Sequence, residues 1–351
     1  MRTKKIAICA VQIPFMHGGA EKLTDGLYVE LLKRGLNVEM INVPFKWYPA
    51  DRLITECMIW RLMDISESDG KKIDVVIATK FPSTVVRHPD KRIWLIHQHR
   101  PVYDLYGTGF GIEFRTEVAD TGEIKAIREM IINIDNVTIR EAKRIYTISK
   151  NVTERLKRYN GIESLSLYPP PENRKLFYSD SYGNYVLYVG RLDAIKRVSL
   201  LIEAFKFVKP NVRCLIVGTG NDKDNLLQSI KNFDLYGRVE LLGYLPDAEV
   251  IRLYAGALAV FYAPHDEDYG YATVEAFLSR RPVITTIDSG GVLEFVRDGE
   301  NGFVVNTNPE EIAEKIDWLY ENKQKGNDFG SNGYEVVKDI TWDSVIERLI
   351  D

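Results

Sequence analysis

The sequence predicts an α/β protein with two domains, each built on a doubly wound, mostly parallel sheet. Short apolar runs of strand length alternate with helical segments along the 351 residues, as is typical of a parallel sheet covered by helices on both faces. The length exceeds one ordinary core and suits two domains of about 170 residues each. Residues 168–183 read YPPPENRKLFYSDSYG, a proline-rich linker that places the boundary at about residue 180.

The first half opens with an apolar strand at residues 5–13, a loop with His17, Gly18 and Gly19, and a helix at residues 20–33. Further strands are predicted at residues 37–43, 74–79, 92–97 and 144–149. Ligands of parallel sheets bind beyond the carboxyl ends of the strands, so the glycine pair before the first helix is a candidate ligand contact. A tight turn without a ligand is the alternative.

The second half repeats this alternation, which predicts a second parallel sheet after the linker. Its strands are expected at Tyr185–Val189, Arg213–Val217, 239–242, 257–262, Val283–Thr286 and 303–305. The domains are therefore predicted at residues 1–180 and 181–335. Residues 336–351 contain a helix at Trp342–Ile350 that is expected to pack back on the first domain.

The most informative stretch is FYAPHDEDYGYATVEAF, residues 261–277. It reads as the end of a buried strand, an acidic loop, and a helical run at residues 272–278 that Gly270 opens. First-turn amides of a helix have no intrahelical partner and can bind an anion. Glu267 on the loop and Glu275 in the helix stand eight residues apart and could accept hydrogen bonds from sugar hydroxyls. The pattern predicts a nucleotide-sugar site.

Two cations follow the first strand of the second half. Gly190 closes that strand, so Arg191 emerges at its carboxyl end and Lys196 can begin the next helix. A diphosphate suits this pair, because Arg offers a bidentate fork and Lys a point charge. Solvated surface cations are the alternative, which the glutamate pair makes the weaker interpretation.

Composition excludes several classes of protein. The net charge of −4 argues against a general nucleic-acid binder. No apolar run approaches about 18 residues, and the first residues do not read as a signal peptide. Cys9, Cys57 and Cys214 have no metal or disulfide spacing and are expected to be buried, reduced thiols of a cytoplasmic protein.

Eight segments, in this order along the chain, resemble the family 4 retaining glycosyltransferases. They are GGAEK (18–22), IHQHRPVYD (96–104), YPPP (168–171), GRLDAIKR (190–197), IVGTG (216–220), LLGYLPD (241–247), residues 261–277, and SGGVLEFVRDGENGFVV (289–305). The resemblance implies the GT-B fold, in which two Rossmann-like domains face a central cleft. The first domain would then serve the acceptor and the second the nucleotide sugar.

The resemblance also implies a role for each donor-site residue. Arg191 and Lys196 would hold the diphosphate, and Glu267 would contact the donor sugar. Glu275 would bind the ribose hydroxyls. The remaining donor contacts would come from backbone near the following residues: Gly18 and Gly19 towards the diphosphate, Gly270, Tyr271 and Ala272 around the distal phosphate or sugar, and Gly243 and Tyr244 around the base.

One departure from the family pattern lies beside the sugar pocket. Asp268-Tyr269-Gly270-Tyr271 stands where the family usually has Pro-Phe-Gly-Leu, which leaves the glycine and both glutamates in place but puts donor choice in doubt. Asp266 and Asp268 spell Asp-x-Asp, the metal signature of a different glycosyltransferase fold. Because Arg191 and Lys196 already supply positive charge, we expect no metal and no cofactor.

In the first domain, the resemblance implies that His97 steadies the developing positive charge of the reacting sugar. The sequence His97-Gln98-His99 leaves His99 as a second candidate, and a histidine with no part in the chemistry is the alternative. Arg100, Tyr103 and Asp104 are expected to contact the acceptor.

The implied reaction transfers a hexose from a UDP or GDP sugar to an acceptor hydroxyl, with retention and front-face attack, in cell-envelope polysaccharide or glycolipid synthesis. The alternatives are an epimerase or phosphorylase of the same fold and a non-catalytic subunit that binds a sugar nucleotide or glycan. Residues 140–158 hold seven cations against two acids. This segment is either a solvated helical face or a peripheral contact with the inner face of the membrane, where a lipid-linked acceptor would lie.

Overall fold

The computed structural model describes residues 4–15, 18–111, 114 and 121–350. The chain forms two compact units, Met1–Glu172 with Thr341–Asp351, and Asn173–Ile340. The division follows Glu172, inside the predicted linker, and the segment after it packs on the second unit. There, the Asp180 amide donates to the Ala255 carbonyl over 3.0 Å, and the Phe177 and Tyr254 rings lie 5.9 Å apart.

The first unit has one six-stranded sheet, in the order β2-β1-β5-β6-β7-β8, and its paired neighbours run parallel. In chain order its elements are β1 Lys5–Gln12, α1 Gly19–Lys33, β2 Asn37–Pro44, α2 Arg52–Leu62, the hairpin β3 Glu67–Ser68 and β4 Lys71–Lys72, β5 Val75–Ala78, β6 Lys91–Leu95, α3 Gly122–Thr138, β7 Arg144–Thr147, α4 Lys150–Asn160 and β8 Leu165–Ser166. The predicted parallel sheet is confirmed. Of the strands that the structure describes in this unit, the two-residue strands β3, β4 and β8 were missed, because strands so short have no apolar run.

The C-terminal helix belongs to the first unit. The Trp342 ring lies edge-on to the Trp94 ring of β6, with centroids 6.2 Å apart. Gly26 in α1 leaves room for this indole, because a Cβ there would lie 2.6 Å from a ring carbon of Trp342. Arg92 of the same sheet donates to the Leu349 carbonyl over 2.7 Å.

The second unit has a second six-stranded sheet, in the order β11-β10-β9-β12-β13-β14, again with parallel pairs. Its elements are β9 Tyr185–Val189, α5 Val198–Ala204, β10 Arg213–Val217, α6 Lys223–Asn232, β11 Val239–Gly243, α7 Asp247–Gly256, β12 Ala259–Phe261, α8 Tyr271–Leu278, β13 Val283–Thr286, β14 Gly302–Val305, α9 Pro309–Glu321 and α10 Lys323–Val337, and the C-terminal helix of the first unit is α11 Trp342–Ile350. The second predicted sheet is confirmed as well.

Register brings the predicted motifs to one edge of this sheet. In the pairing of β9 with β12, Val186 lies opposite Ala259 and Leu187 opposite Val260. The two strands are parallel and end at similar heights, so the segments that follow them leave the sheet side by side. In the part of the chain that the structure describes, no helix is long and apolar enough to cross a membrane.

Candidate functional site

Lys196 and Glu267 meet at the carboxyl edge of the second unit's sheet. The Lys196 Nζ lies 2.5 Å from the Glu267 Oε2 and 3.4 Å from the Tyr262 hydroxyl. Both charged side chains are mostly buried, with 12% and 18% of their surface exposed. The sequence placed these two residues on different segments, and the fold brings them into one ion pair.

Arg191 stands at the same edge but is more open to solvent. Its side chain is 49% exposed and forms an ion pair with Asp193 over 3.1 Å. The Tyr188 hydroxyl donates to the Arg191 carbonyl over 2.8 Å, which fixes the backbone where β9 ends. An exposed guanidinium beside a buried ammonium is an arrangement that can bind an anion from solution.

Helix α8 begins at this site with Tyr271, immediately after Gly270 and one residue before the predicted start. Gly270 is left-handed at φ 89°, and a Cβ there would lie 2.9 Å from the Val292 side chain. Only glycine fits both conditions. Tyr271 and Ala272 form the first turn, and the Ala272 side chain is buried. The first-turn amides therefore stand where an anion could reach them through backbone alone.

Glu275 lies one turn into α8 and is held by a buried hydroxyl, which sequence reasoning missed. The Tyr254 hydroxyl donates to the Glu275 Oε2 over 2.9 Å. Tyr188 and Tyr262 stack beside this position with ring centroids 6.2 Å apart. Burial raises the pKa of all three phenols well above the usual value, so they remain protonated donors. The available signal was the position of Tyr188 near the end of β9 and of Tyr262 directly after β12, whereas Tyr254 lies in α7.

The acidic loop is tied through its backbone to the segment that follows β13. The Asp266 amide donates to the Asp288 carbonyl over 2.8 Å, and the Glu267 carbonyl accepts from the Gly291 amide over 2.7 Å. Among the residues that the structure describes, no group of three or more His, Cys, Asp or Glu side chains could hold a metal. The Asp266 and Asp268 pair is therefore not part of such a cluster there.

Gly243 ends the edge strand β11 and Tyr244 follows it, and β10 separates this strand from β9. Gly243 is left-handed at φ 71°, and no atom of another residue lies within 4 Å of the position of a Cβ on it. Tyr244 is 80% exposed. The structure thus leaves backbone accessible at this position, as the prediction for a base-binding segment requires.

In the first unit, Gly18 immediately precedes α1 and Gly19 is the first residue of that helix. The Gly18 amide donates to the Glu21 Oε2 over 2.9 Å. Lys80 in turn approaches the Glu21 carboxylate at 3.4 Å. His17, the third residue of the predicted loop motif, lies outside the described residues.

His97 and His99 occupy different environments after β6. The His99 side chain is buried among the rings of Phe45, Phe81 and Phe114 at 5.4–6.3 Å, and burial lowers its pKa to about 3. His97 is partly exposed, with its Nδ1 2.6 Å from the Gln98 carbonyl. Since a neutral histidine in an aromatic core cannot approach a substrate, the geometry favours His97 over His99.

The residues predicted to contact the acceptor are occupied within the first unit. Arg100 pairs with Asp104 at 2.5 Å, and Asp104 also lies 3.4 Å from Arg155. Tyr103 is 2% exposed and donates to Asp135 over 2.7 Å. The Tyr103 side chain is thus buried in the first unit, and its contact with an acceptor stays a prediction.

The basic segment at residues 140–158 is not one helical face. It comprises a short helical turn, strand β7 and most of α4. Five of its cations make contacts within the first unit, namely Arg140, Lys143, Arg144, Arg155 and Lys157. Arg140, for example, donates to the Asn160 carbonyl over 2.7 Å. Intramolecular contacts therefore account for most of this charge run.

The second unit matches a known family. Residues 171–336 fit the model of the glycosyl transferases group 1. The second unit is therefore similar to the group 1 glycosyl transferases over these residues. This match supports the glycosyltransferase superfamily and covers slightly less than half of the chain.

Curated proteins with similar sequences are also named as glycosyltransferases. An uncharacterised glycosyltransferase of Methanocaldococcus jannaschii is 30% identical over 192 residues, which cover 54% of this chain and 50% of the relative. The poly(ribitol-phosphate) alpha-N-acetylglucosaminyltransferase of Staphylococcus aureus is 26% identical over 242 residues, which cover 66% of this chain and 47% of the relative. The chain thus spans about half of the length of these relatives.

Solved structures match both units. Sucrose-phosphate synthase from Thermosynechococcus elongatus is 18% identical, with a TM-score of 0.79 and coverage of 98% of this chain and 97% of that one. Anabaena HepE in complex with UDP and glucose is 18% identical, with a TM-score of 0.70 and coverage of 99% and 98%. With its two parallel-sheet units, this chain has the GT-B fold.

Proposed function

We propose that this chain is a retaining glycosyltransferase that moves a hexose from a nucleoside diphosphate sugar to an acceptor hydroxyl. The observation that carries the proposal is the Lys196–Glu267 ion pair of 2.5 Å, beside the exposed Arg191 and the amides that follow Gly270. The match of the second unit to the group 1 glycosyltransferases supports it. The assignment to family 4 rests on the eight sequence segments.

The chemistry suits departure of a diphosphate. Negative charge grows on the leaving group, and fixed cations and amides stabilise it most when they need not reorganise. Arg191 can offer a bidentate fork, Lys196 a point charge, and α8 the positive end of its dipole. Glu267 and Glu275 carry acceptor oxygens for sugar and ribose hydroxyls. The buried Tyr254 and Tyr262 orient these charged groups before any donor binds.

We propose that the reaction needs no metal ion, because the cations above supply the charge that a metal would. Retention is proposed from the family resemblance, with front-face attack by the acceptor. A metal held by Asp266 and Asp268 is the competing mechanism, and chelation distinguishes the two. His97 keeps its predicted role near the reacting sugar.

We further propose a cell-envelope glycan or glycolipid as acceptor, with synthesis on the cytoplasmic side. The names of three relatives support this: the S. aureus enzyme above, the alpha-monoglucosyldiacylglycerol synthase of Acholeplasma laidlawii, and a capsular polysaccharide glycosyltransferase of S. aureus. Peripheral membrane contact through residues 140–158 stays a prediction, and the intramolecular contacts of that segment weaken it.

The test is a screen of UDP and GDP sugars by thermal shift, followed by transfer assays with the donors that bind. A donor at 100 times its Kd should add about 2.7 kcal/mol of stability to the second unit. Nuclear magnetic resonance of the product reports the anomeric configuration. An inverted product would contradict retention. Binding without transfer or hydrolysis would favour the non-catalytic subunit, and conversion of the donor alone the epimerase.

A further inference from the structure

Arg197, directly after Lys196, adopts a backbone conformation that favours glycine. Its φ is 54° and its ψ 40°, which lies in the left-handed region that other residues rarely occupy. An unfavourable conformation persists only where surrounding contacts enforce it. Contacts of the Arg197 side chain are therefore expected to enforce this conformation.

The Arg197 guanidinium joins the ends of two neighbouring strands. Towards the end of β12, its Nε donates to the Ala263 carbonyl and its Nη2 to the Pro264 carbonyl, each over 2.9 Å. Towards the end of β13, it forms a bidentate pair with Asp288 at 2.7 and 2.8 Å. Its Nη2 also donates to the Thr286 hydroxyl over 2.8 Å. One side chain thus binds both segments.

The segment held this way carries Glu267. The His265 amide donates to the Ile195 carbonyl over 2.9 Å, and the Glu267 amide to the Ser289 carbonyl over 3.2 Å. Although burial raises the pKa of Asp288, bonds from Arg197 and Thr286 lower it to about 2. The Asp288 carboxylate therefore stays charged at any physiological pH.

We propose that Arg197 is a positioning residue for Glu267, clamping the loop after β12 to the loop after β13 so that the carboxylate keeps its place against Lys196. This inference rests on the proposed function, because Glu267 matters only if the site transfers a sugar. Lys196 and Arg197 then have different roles. Lys196 forms an ion pair with the Glu267 carboxylate, and Arg197 fixes the backbone of the loop that carries Glu267.

Substitution of Arg197 by glycine distinguishes the effect of the side-chain contacts from the effect of the backbone conformation. If the position needed only a left-handed conformation, Arg197→Gly would keep the native kcat and would be at least as stable as the native protein, since glycine adopts that conformation freely. If the clamp matters, Arg197→Gly and Arg197→Ala should both lose roughly 10²-fold in kcat, as a misplacement of about 1 Å can cost. The kcat of Arg197→Lys should fall between that of these two variants and that of the native protein, because one ammonium cannot reach both strand ends.

Arg280→Gly is the matched control. Arg280 has the same φ of 54°, but its guanidinium lies over the Tyr334 ring at 4.1 Å and holds no part of the Glu267 loop. Its kcat should remain within about twofold of the native value, since the site is untouched. A double variant, Arg197→Ala with Asp288→Ala, should lose less than the product of the two single losses, because both changes remove the Arg197–Asp288 pair.

Hydrogen exchange gives a readout that does not depend on activity. In the full chain, amides of residues 265–267 should exchange faster in Arg197→Gly than in the native protein. In Arg280→Gly, their exchange rates should equal those of the native protein. Native-like kcat together with native-like exchange in Arg197→Gly would overturn the clamp. If the native protein transfers no sugar from any donor, the proposed function fails, while faster exchange still establishes the clamp as a structural one.

Discussion

At the carboxyl edge of the second unit's sheet, ion pairs and buried hydroxyls hold charged side chains in place. At the same edge of the first unit's sheet, aromatic rings enclose the neutral His99, and Tyr103 is buried against Asp135. The two sheets have the same strand number and parallel pairing, so the difference lies in the loops. The second unit thus keeps a half-exposed cation, Arg191, at this edge, whereas the first unit pairs Arg100 with Asp104 and encloses His99 among aromatic rings.

The largest expected effect comes from removing Arg191 or Lys196, the cations at the carboxyl edge of the second unit's sheet. Arg191→Ala and Lys196→Ala should each reduce kcat by roughly 10²–10³-fold, because each removes a fixed donor to the leaving group. Transfer assays in excess EDTA would measure both. Arg213→Ala, which removes an exposed surface ion pair with Glu240, is the control and should leave kcat unchanged.

The same assays decide the question of a metal. Transfer that vanishes with EDTA and returns with manganese would contradict our interpretation of this edge. So would an Asp268→Asn variant as impaired as Arg191→Ala.

The next effect concerns donor affinity. Glu275→Gln should raise the donor Kd about tenfold or more, since hydrogen bonds to a charged group contribute about 1.5–3 kcal/mol. Tyr254→Phe should raise it less, because Glu275 keeps its charge and loses only one oriented donor. Isothermal titration with the donor measures both. Equal Kd values for all three proteins would show that Glu275 does not contact the donor.

For the first unit, the comparison predicts effects on stability without effects on donor binding. Burial raises the pKa of Asp135 to about 7, above its value in the unfolded chain. The folded form therefore holds its proton more tightly, and stability falls as pH rises from about 4 to 7. Asp135→Asn removes this dependence and should be more stable than the native protein at pH 8, on the order of 2 kcal/mol.

Thermal unfolding at pH 4 and pH 8 measures that difference. At pH 4 the variant should show no gain, because the native Asp135 is then protonated in the folded state. A gain of equal size at both values would point to packing rather than to charge.

The smallest effect tests the docking of the C-terminal helix. Gly26→Ala should destabilise the first unit by about 1–3 kcal/mol, because its Cβ would press on Trp342. Gly122→Ala is the control, since nothing lies within 4 Å of a Cβ there. Chemical denaturation compares the two. Equal stability of both variants would show that α1 and the Trp342 ring separate at little cost.

Much of the fold followed from periodicity alone. Tyr185–Val189, Arg213–Val217 and Val283–Thr286 were predicted with the bounds that the structure shows, because buried parallel strands are short apolar runs between turn residues. Gly270 and the start of α8 also followed from local pattern. Such features depend on neighbours in sequence, so one chain is enough to reveal them.

Tertiary structure decided what lies next to what. The bond between Lys196 and Glu267, and the clamp from Arg197 to Asp288, each join segments that lie far apart in the sequence. Tyr254 reaches Glu275 for the same reason. Sequence determined which side chains follow each strand, but sheet order brought those strands together, and burial then determined which of their groups stay charged, which stay neutral and which face solvent.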